Sequence, residues 1–208
     1  MKIAFIGIGN VGFALAARLQ KCRHEIIIAA DKASDSVTKA LLQNPDFTTA
    51  ATQKAIDSSD VVFLATPFMA NEEVLKTLSF NGKTLVDCTN PVGPGISHGL
   101  NSVISGSERV QQWAPDAKVV KAFSIYGFEN LAESKFPHPG ILPVMLLSGN
   151  DLKAKITVSL LIDDLGFRPL DTGSLDQALH LEHLTLLWIK MVRRDGHHPD
   201  FTWAYLEK

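Results

Sequence analysis

The first thirty-two residues constrain the fold of this chain more than any other stretch. An apolar run, Ile3-Ala4-Phe5-Ile6, meets Gly7-Ile8-Gly9-Asn10-Val11-Gly12. An amphipathic segment from Phe13 to Leu19 follows, then a second apolar run, Ile26-Ile27-Ile28-Ala29-Ala30, ending in Asp31 and Lys32. Strand, glycine turn, helix, strand and acid is the order that a dinucleotide-binding βαβ unit requires. Gly7 lets the strand turn sharply into the helix. Gly9 leaves room for a pyrophosphate against the backbone. Gly12 lets the helix sit close to the strand. The free N–H groups and positive end of the helix then face the phosphates. Asp31, 19 residues after Gly12, stands where a carboxylate accepts hydrogen bonds from a ribose diol.

The rest of the chain repeats the alternation of strand and helix. Val61 to Ala65 is apolar throughout, as a strand covered on both faces should be, and it ends at Ala65-Thr66-Pro67-Phe68. Thr84 to Cys88 is the next strand and ends at Thr89-Asn90-Pro91. Lys118 to Phe123 leads into Ser124-Ile125-Tyr126. Pro143 to Leu147 and Phe167 to Leu170 read as strands around a helix from Asp151 to Leu165, and the last strand runs into Asp171-Thr172-Gly173. The expected fold is therefore α/β: a Rossmann-type, doubly wound, mostly parallel sheet with helices on both faces. Residues 1–208 are expected to form a single dinucleotide-binding domain. In such sheets ligands lie beyond the carboxyl ends of the strands, so these strand ends are expected to make one rim holding the active site.

The final helix, about 175–193, carries Leu186, Leu187, Trp188, Ile189 and Met191 with little polar relief. Such a helix is buried all round, in the protein's own core or against a second subunit, and a homodimer contact is the expectation. A net charge of −2 gives no basic footprint for nucleic acid. No apolar run reaches membrane-spanning length, and the chain opens directly on a strand, which points to a cytoplasmic protein. Cys22 and Cys88 lack metal-type spacing and read as reduced thiols. No metal is expected: His197-His198 and Cys22-Arg23-His24 offer no convergent ligand set, and His180 and His183 lack an HExxH frame. Asp163-Asp164 reads as a solvated helix face. Tyr126 is either a proton donor or a hydrogen-bonded aromatic lining the pocket, with the second favoured. His98 and His138 sit on loops expected to hang over the rim.

Taken together, the glycine turn, Ala-Thr-Pro-Phe, Asp-Cys-Thr-Asn-Pro, Val-Val-Lys-Ala-Phe-Ser and Phe-Arg-Pro-Leu-Asp-Thr-Gly-Ser-Leu resemble the NADP oxidoreductases dependent on coenzyme F420. The resemblance runs along essentially the whole chain. It extends to the cytoplasmic reductase domain of the STEAP membrane metalloreductases. It implies hydride transfer between a nicotinamide and a second redox carrier, a deazaflavin (F420), a flavin or another small-molecule acceptor. Transfer between stacked rings needs positioning and exclusion of water, and no catalytic acid or base is assigned. By the same resemblance, Thr66-Pro67 and Asn90-Pro91 would face the nicotinamide, and Ser124, Ile125 and Tyr126 the second ring; Ala65, at the end of its strand, is expected to bind the cofactor with them.

Two positions depart from the family. Where members read Gly-Ser-Arg and hold the 2′-phosphate of NADP, this chain reads Ala29-Ala30-Asp31. The acid favours NAD and the family favours NADP, with Lys32 and Ser34 within reach of a phosphate. Ser124 stands where relatives often carry Asn or His, which weakens the case for F420. The alternative function is a redox-sensing module that binds a dinucleotide without turning it over.

Overall fold

The structure is a computed structural model, and it describes residues 1–133 and 140–208. His138 lies outside the described residues.

The chain runs β1 (Lys2–Ile6), α1 (Asn10–Lys21), β2 (Glu25–Ala29), α2 (Asp35–Gln43), β3 (Thr48–Ala50), α3 (Thr52–Ser58) and β4 (Val61–Leu64). A 3-10 turn (Phe68–Ala70) leads into α4 (Asn71–Leu75) and β5 (Thr84–Asp87). A small hairpin, β6 (Val92–Gly93) and β7 (Ser97–His98), carries His98, which was expected on a loop. Then come α5 (Gly106–Trp113), β8 (Lys118–Lys121), α6 (Phe128–Ala132), β9 (Val144–Gly149), α7 (Leu152–Asp164) and β10 (Arg168–Asp171). A second 3-10 turn, α8 (Ala178–Ile189) and a π-helical turn (Lys190–Arg194) close the order.

Eight strands form one sheet in the order β10-β9-β8-β5-β4-β1-β2-β3. From β3 to β8 every pairing is parallel. Two apolar clusters cover its faces. One is built on Phe5, Leu15, Phe63, Phe123 and Phe167, the other on Ile6, Ile56, Leu64, Phe80 and Leu85. The apolar runs read from the sequence are thus central strands buried on both sides.

One expectation about direction is overturned. β9 runs antiparallel to β8, pairing Val120 with Gly149 and Lys121 with Ser148. β10 is parallel to β9, so it too runs against the rest of the sheet. Asp171-Thr172-Gly173 therefore sits at the amino end of β8, not on the carboxyl rim. Gly149 N–H donates to the Gly173 carbonyl there, and Lys118, the first residue of β8, pairs with Asp151 at 3.2 Å. A strand's direction follows from how its connection crosses the sheet, and an apolar pentapeptide does not encode that.

The C-terminal helix packs into the protein's own core. Leu181, Glu182, Thr185, Leu186, Trp188 and Val192 are all buried within this chain, while Leu187 stays 47% exposed. Of the apolar residues that suggested a second subunit, Leu186 and Trp188 are buried by the chain itself, and Ile189 and Met191 are half-buried. Asp163 and Asp164 are exposed, as a solvated helix face should be, and Asp164 also pairs with His24 at 2.9 Å. Among the described residues no helix is long and apolar enough to cross a membrane.

Candidate functional site

The glycine turn is built as its spacing requires. Gly7 has φ +93°, and a Cβ there would lie 2.6 Å from the Ala65 carbonyl carbon. A Cβ at Gly12 would lie 2.4 Å from the Gly7 oxygen. At Gly9 a Cβ would meet nothing within 4 Å. Gly7 and Gly12 are thus closed by the protein, whereas Gly9 faces open space. α1 starts there without a side-chain cap and without an acid in its first turn. Its first N–H groups and positive end are left to whatever lies in that space. A groove of about 520 Å³ runs from Ile8, Gly9 and Asn10 along α1 towards Lys39 of α2.

Asp31 follows β2 and is exposed. Thr52 N–H donates to its Oδ1 at 3.0 Å and the Thr52 hydroxyl donates to Oδ2 at 2.7 Å. These two bonds, the backbone one first, hold its carboxyl below the usual range, so it is ionised at neutral pH. Lys32 is exposed beside it. Ser34 is engaged in capping α2 through Val37 N–H at 3.4 Å.

At the carboxyl ends of β4 and β5, three side chains are tied together. The Thr66 hydroxyl donates to Asn71 Oδ1 at 2.5 Å, and Asn71 Nδ2 donates to the Thr89 hydroxyl at 3.0 Å. Asn71 is fully buried. Asn90 Nδ2 reaches the Ser124 carbonyl at 3.4 Å, which brings the ends of β5 and β8 together. Phe123, just before Ser124, holds φ +57°, a left-handed conformation rare for an aromatic residue. Its ring is locked in the core against Phe63, with centroids 5.7 Å apart. The Thr185 hydroxyl of α8 also holds the Ser124 carbonyl, at 2.9 Å. Of the buried side-chain polar atoms without a hydrogen-bond partner among the described residues, two lie here: Asn90 Oδ1 and Ser124 Oγ. Such atoms are rare in native proteins, and two at neighbouring strand ends mark a place for a ligand. A second cavity, about 710 Å³, opens beside them between Pro67, Met69, Asn90, Pro91 and Trp113.

The structure brings Gly7 to Gly12, Ala65 to Pro67, Asn90, Pro91 and Ser124 to one rim, because β1, β4, β5 and β8 are successive neighbours. It does not open Ile125 and Tyr126 to that rim. Ile125 is fully buried in the core. The Tyr126 hydroxyl donates to the Val144 carbonyl at 2.7 Å and accepts from Trp203 N–H at 3.0 Å. Its ring stacks on Phe167, and burial pushes its ionisation well up. Tyr126 is a hydrogen-bonded aromatic, but it pins the C-terminal segment to β9 and does not line the pocket. His98 is likewise not over the rim: it is buried, with Nε2 2.8 Å from Glu182 Oε2. Among the described residues no group of three His, Cys, Asp or Glu side chains could hold a metal.

The sequence reading missed a buried charged cluster beneath the rim. Asp87 Oδ1 accepts from the Thr89 N–H and hydroxyl, at 2.9 and 2.7 Å. Lys121 lies 3.5 Å from Asp87 and 3.4 Å from Glu182, and its ammonium donates to the Thr89 carbonyl. Burial pulls the Lys121 ammonium down, but Asp87 and Glu182 outweigh it and hold it above its ordinary range. The available signal was an acid and a lysine at the carboxyl ends of two neighbouring strands, Thr84–Asp87 and Lys118–Lys121.

Comparison with known proteins finds relatives of similar sequence and fold. Residues 2–91 match the family described as NADP oxidoreductase, coenzyme F420-dependent. The metalloreductase STEAP3 of Rattus norvegicus is 30% identical over 189 residues, 89% of this chain and 36% of that protein. The chain thus spans about a third of that relative's length. A candidate F420-dependent NADP reductase from Arthrobacter sp. FB24 superposes with a TM-score of 0.83 at 27% identity, covering 100% of both chains. A reductive aminase from Aspergillus terreus shares the fold at 20% identity and a TM-score of 0.63, over 92% of this chain and 60% of that one. Residues 2–91 are thus similar to the F420-dependent NADP oxidoreductase family.

Proposed function

We propose that this chain binds a nicotinamide dinucleotide along the rim and passes hydride between its ring and a second planar carrier. The observation that carries this reading is the pair of buried, unpartnered atoms Asn90 Oδ1 and Ser124 Oγ, on the same rim as the open Gly9. A nicotinamide carboxamide has one N–H donor and one carbonyl acceptor side, and these two atoms complement it. The dinucleotide, when bound, supplies the hydride donor or acceptor.

The chain's own groups do the rest. The bare start of α1 receives the pyrophosphate at Gly9 and Asn10. The Thr66–Asn71–Thr89 bonds fix the turns that carry Pro67 and Asn90, so ring and acceptor are held at a set distance. Pro67, Pro91 and Met69 give the neighbouring cavity an apolar wall that excludes water from a second ring. No side chain here is asked to move a proton. The ionised Asp31 favours the ribose diol of NAD, against the NADP of the family's description.

Anaerobic mixing with NADH or NADPH and, in turn, F420, FMN, FAD, a ferric chelate and a cyclic imine tests the proposal. Loss of reduced-nicotinamide absorbance with a planar acceptor is expected. Tight dinucleotide binding with no oxidation by any acceptor would overturn it.

A further inference from the structure

The cluster beneath the rim does not balance in charge. His98 Nδ1 accepts from Leu100 N–H at 3.3 Å and Ser102 N–H at 3.2 Å, so that nitrogen carries no proton. Its ring is then the neutral tautomer, donating Nε2–H to Glu182. Glu182 Oε2 also accepts from Gly106 N–H at 3.0 Å, and Oε1 accepts from Ser107 N–H at 3.3 Å. Asp87 Oδ2 accepts from the Ser107 hydroxyl and faces Lys121. Every hydrogen-bond neighbour of both carboxylates is a donor, the surroundings that suit the charged form. Two carboxylates, one ammonium and one neutral imidazole sum to −1. The start of α5, aimed at Glu182, offsets about half a charge. Asp87, Lys121 and Glu182 are 0%, 0% and 1% exposed, so water screens this charge little.

The cluster is bonded to the strand end that carries Asn90. Lys121 holds the carbonyl of Thr89, the residue before Asn90, and Asp87 holds the Thr89 hydroxyl. A nicotinamide ring is cationic when oxidised and neutral when reduced. We propose that the Asp87–Lys121–Glu182 cluster tunes the bound dinucleotide, binding its oxidised form preferentially and so making the reduced form a stronger hydride donor. Glu182 acts here through charge, as a positioning and tuning residue, without touching the ring. The inference rests on the proposed nicotinamide site.

The test compares dissociation constants of oxidised and reduced dinucleotide, by calorimetry, for the wild type, Glu182→Gln and His98→Gln. Glu182→Gln removes the net charge and keeps much of the shape. Its oxidised-to-reduced ratio of dissociation constants should rise about tenfold over the wild type. His98→Gln replaces one neutral donor by another and should leave the ratio unchanged. The wild type alone should bind the oxidised form at least as tightly as the reduced one, which keeps the inference testable if Glu182→Gln fails to fold. A ratio within twofold of the wild type in folded Glu182→Gln, an equal shift in His98→Gln, or wild-type preference for the reduced form would each overturn it. A wild type that binds neither form would instead overturn the proposed function on which it rests.

Discussion

Asp31 and Thr52 are joined by two hydrogen bonds, Thr52 N–H to Oδ1 at 3.0 Å and Thr52 hydroxyl to Oδ2 at 2.7 Å. The acid that ends β2 is therefore fixed in place and kept ionised by the start of α3. A 2′-phosphate placed at the end of β2 would meet a carboxylate that cannot easily swing away or take a proton. Replacing Asp31 by Ala should shift the ratio of NADPH to NADH affinity towards NADPH by about tenfold, the worth of one like-charge contact near the surface. Competition titration of the two reduced dinucleotides measures this. An unchanged ratio would show that the carboxylate does not face the ribose.

The glycines of the turn should separate into structural and ligand-facing sets. Gly12→Ala forces a Cβ to 2.4 Å from the Gly7 oxygen, and Gly7→Ala adds a left-handed φ to a similar clash. Each should cost about 2 kcal/mol or more in denaturant unfolding. Gly9→Ala meets no atom within 4 Å and should leave stability within about 0.5 kcal/mol of the wild type.

Tyr126 should matter to stability and not to turnover. Tyr126→Phe removes a buried hydroxyl that serves the Val144 carbonyl and the Trp203 N–H. A loss of about 1–3 kcal/mol in chemical unfolding is expected, because a buried backbone donor is left unpaired. The rate of hydride transfer, followed by stopped flow, should stay within twofold. A large fall in rate without loss of stability would restore Tyr126 as a proton donor.

Ser124 should show the reverse pattern. Its hydroxyl is buried without a partner among the described residues, so Ser124→Ala should leave unfolding free energy unchanged or slightly raised. Turnover should fall about tenfold, the usual worth of one hydrogen bond to a bound ring substituent. Equal losses in stability and rate would mean that the hydroxyl serves the fold.

The parts legible in the sequence are those whose residue type follows from a local constraint. Gly7 and Gly12 must be glycine because backbone packs where their Cβ would be, and spacing alone reveals that. The apolar strands Lys2–Ile6 and Val61–Leu64 are read correctly because both faces of the sheet are covered. What stayed hidden depends on chain direction and on distant pairs. Asp171-Thr172-Gly173 was expected on the rim because a strand's polarity in the sheet is set by the preceding connection. Lys121 and Glu182 lie far apart in sequence, and each alone resembles a surface residue. Ile125 and Tyr126 were carried towards a pocket by adjacency to Ser124, yet the left-handed turn at Phe123 leaves them in the core.

The central claim is that a dinucleotide lies on the glycine turn. Fluorescence titration of the wild type and Gly9→Val with NADH and NADPH tests it most directly. The account predicts micromolar binding of at least one dinucleotide to the wild type. In Gly9→Val that binding should be lost while the unfolding transition is unchanged, because the added side chain fills the space left for the pyrophosphate. Equal binding by a folded Gly9→Val, or no binding by the wild type, would contradict it.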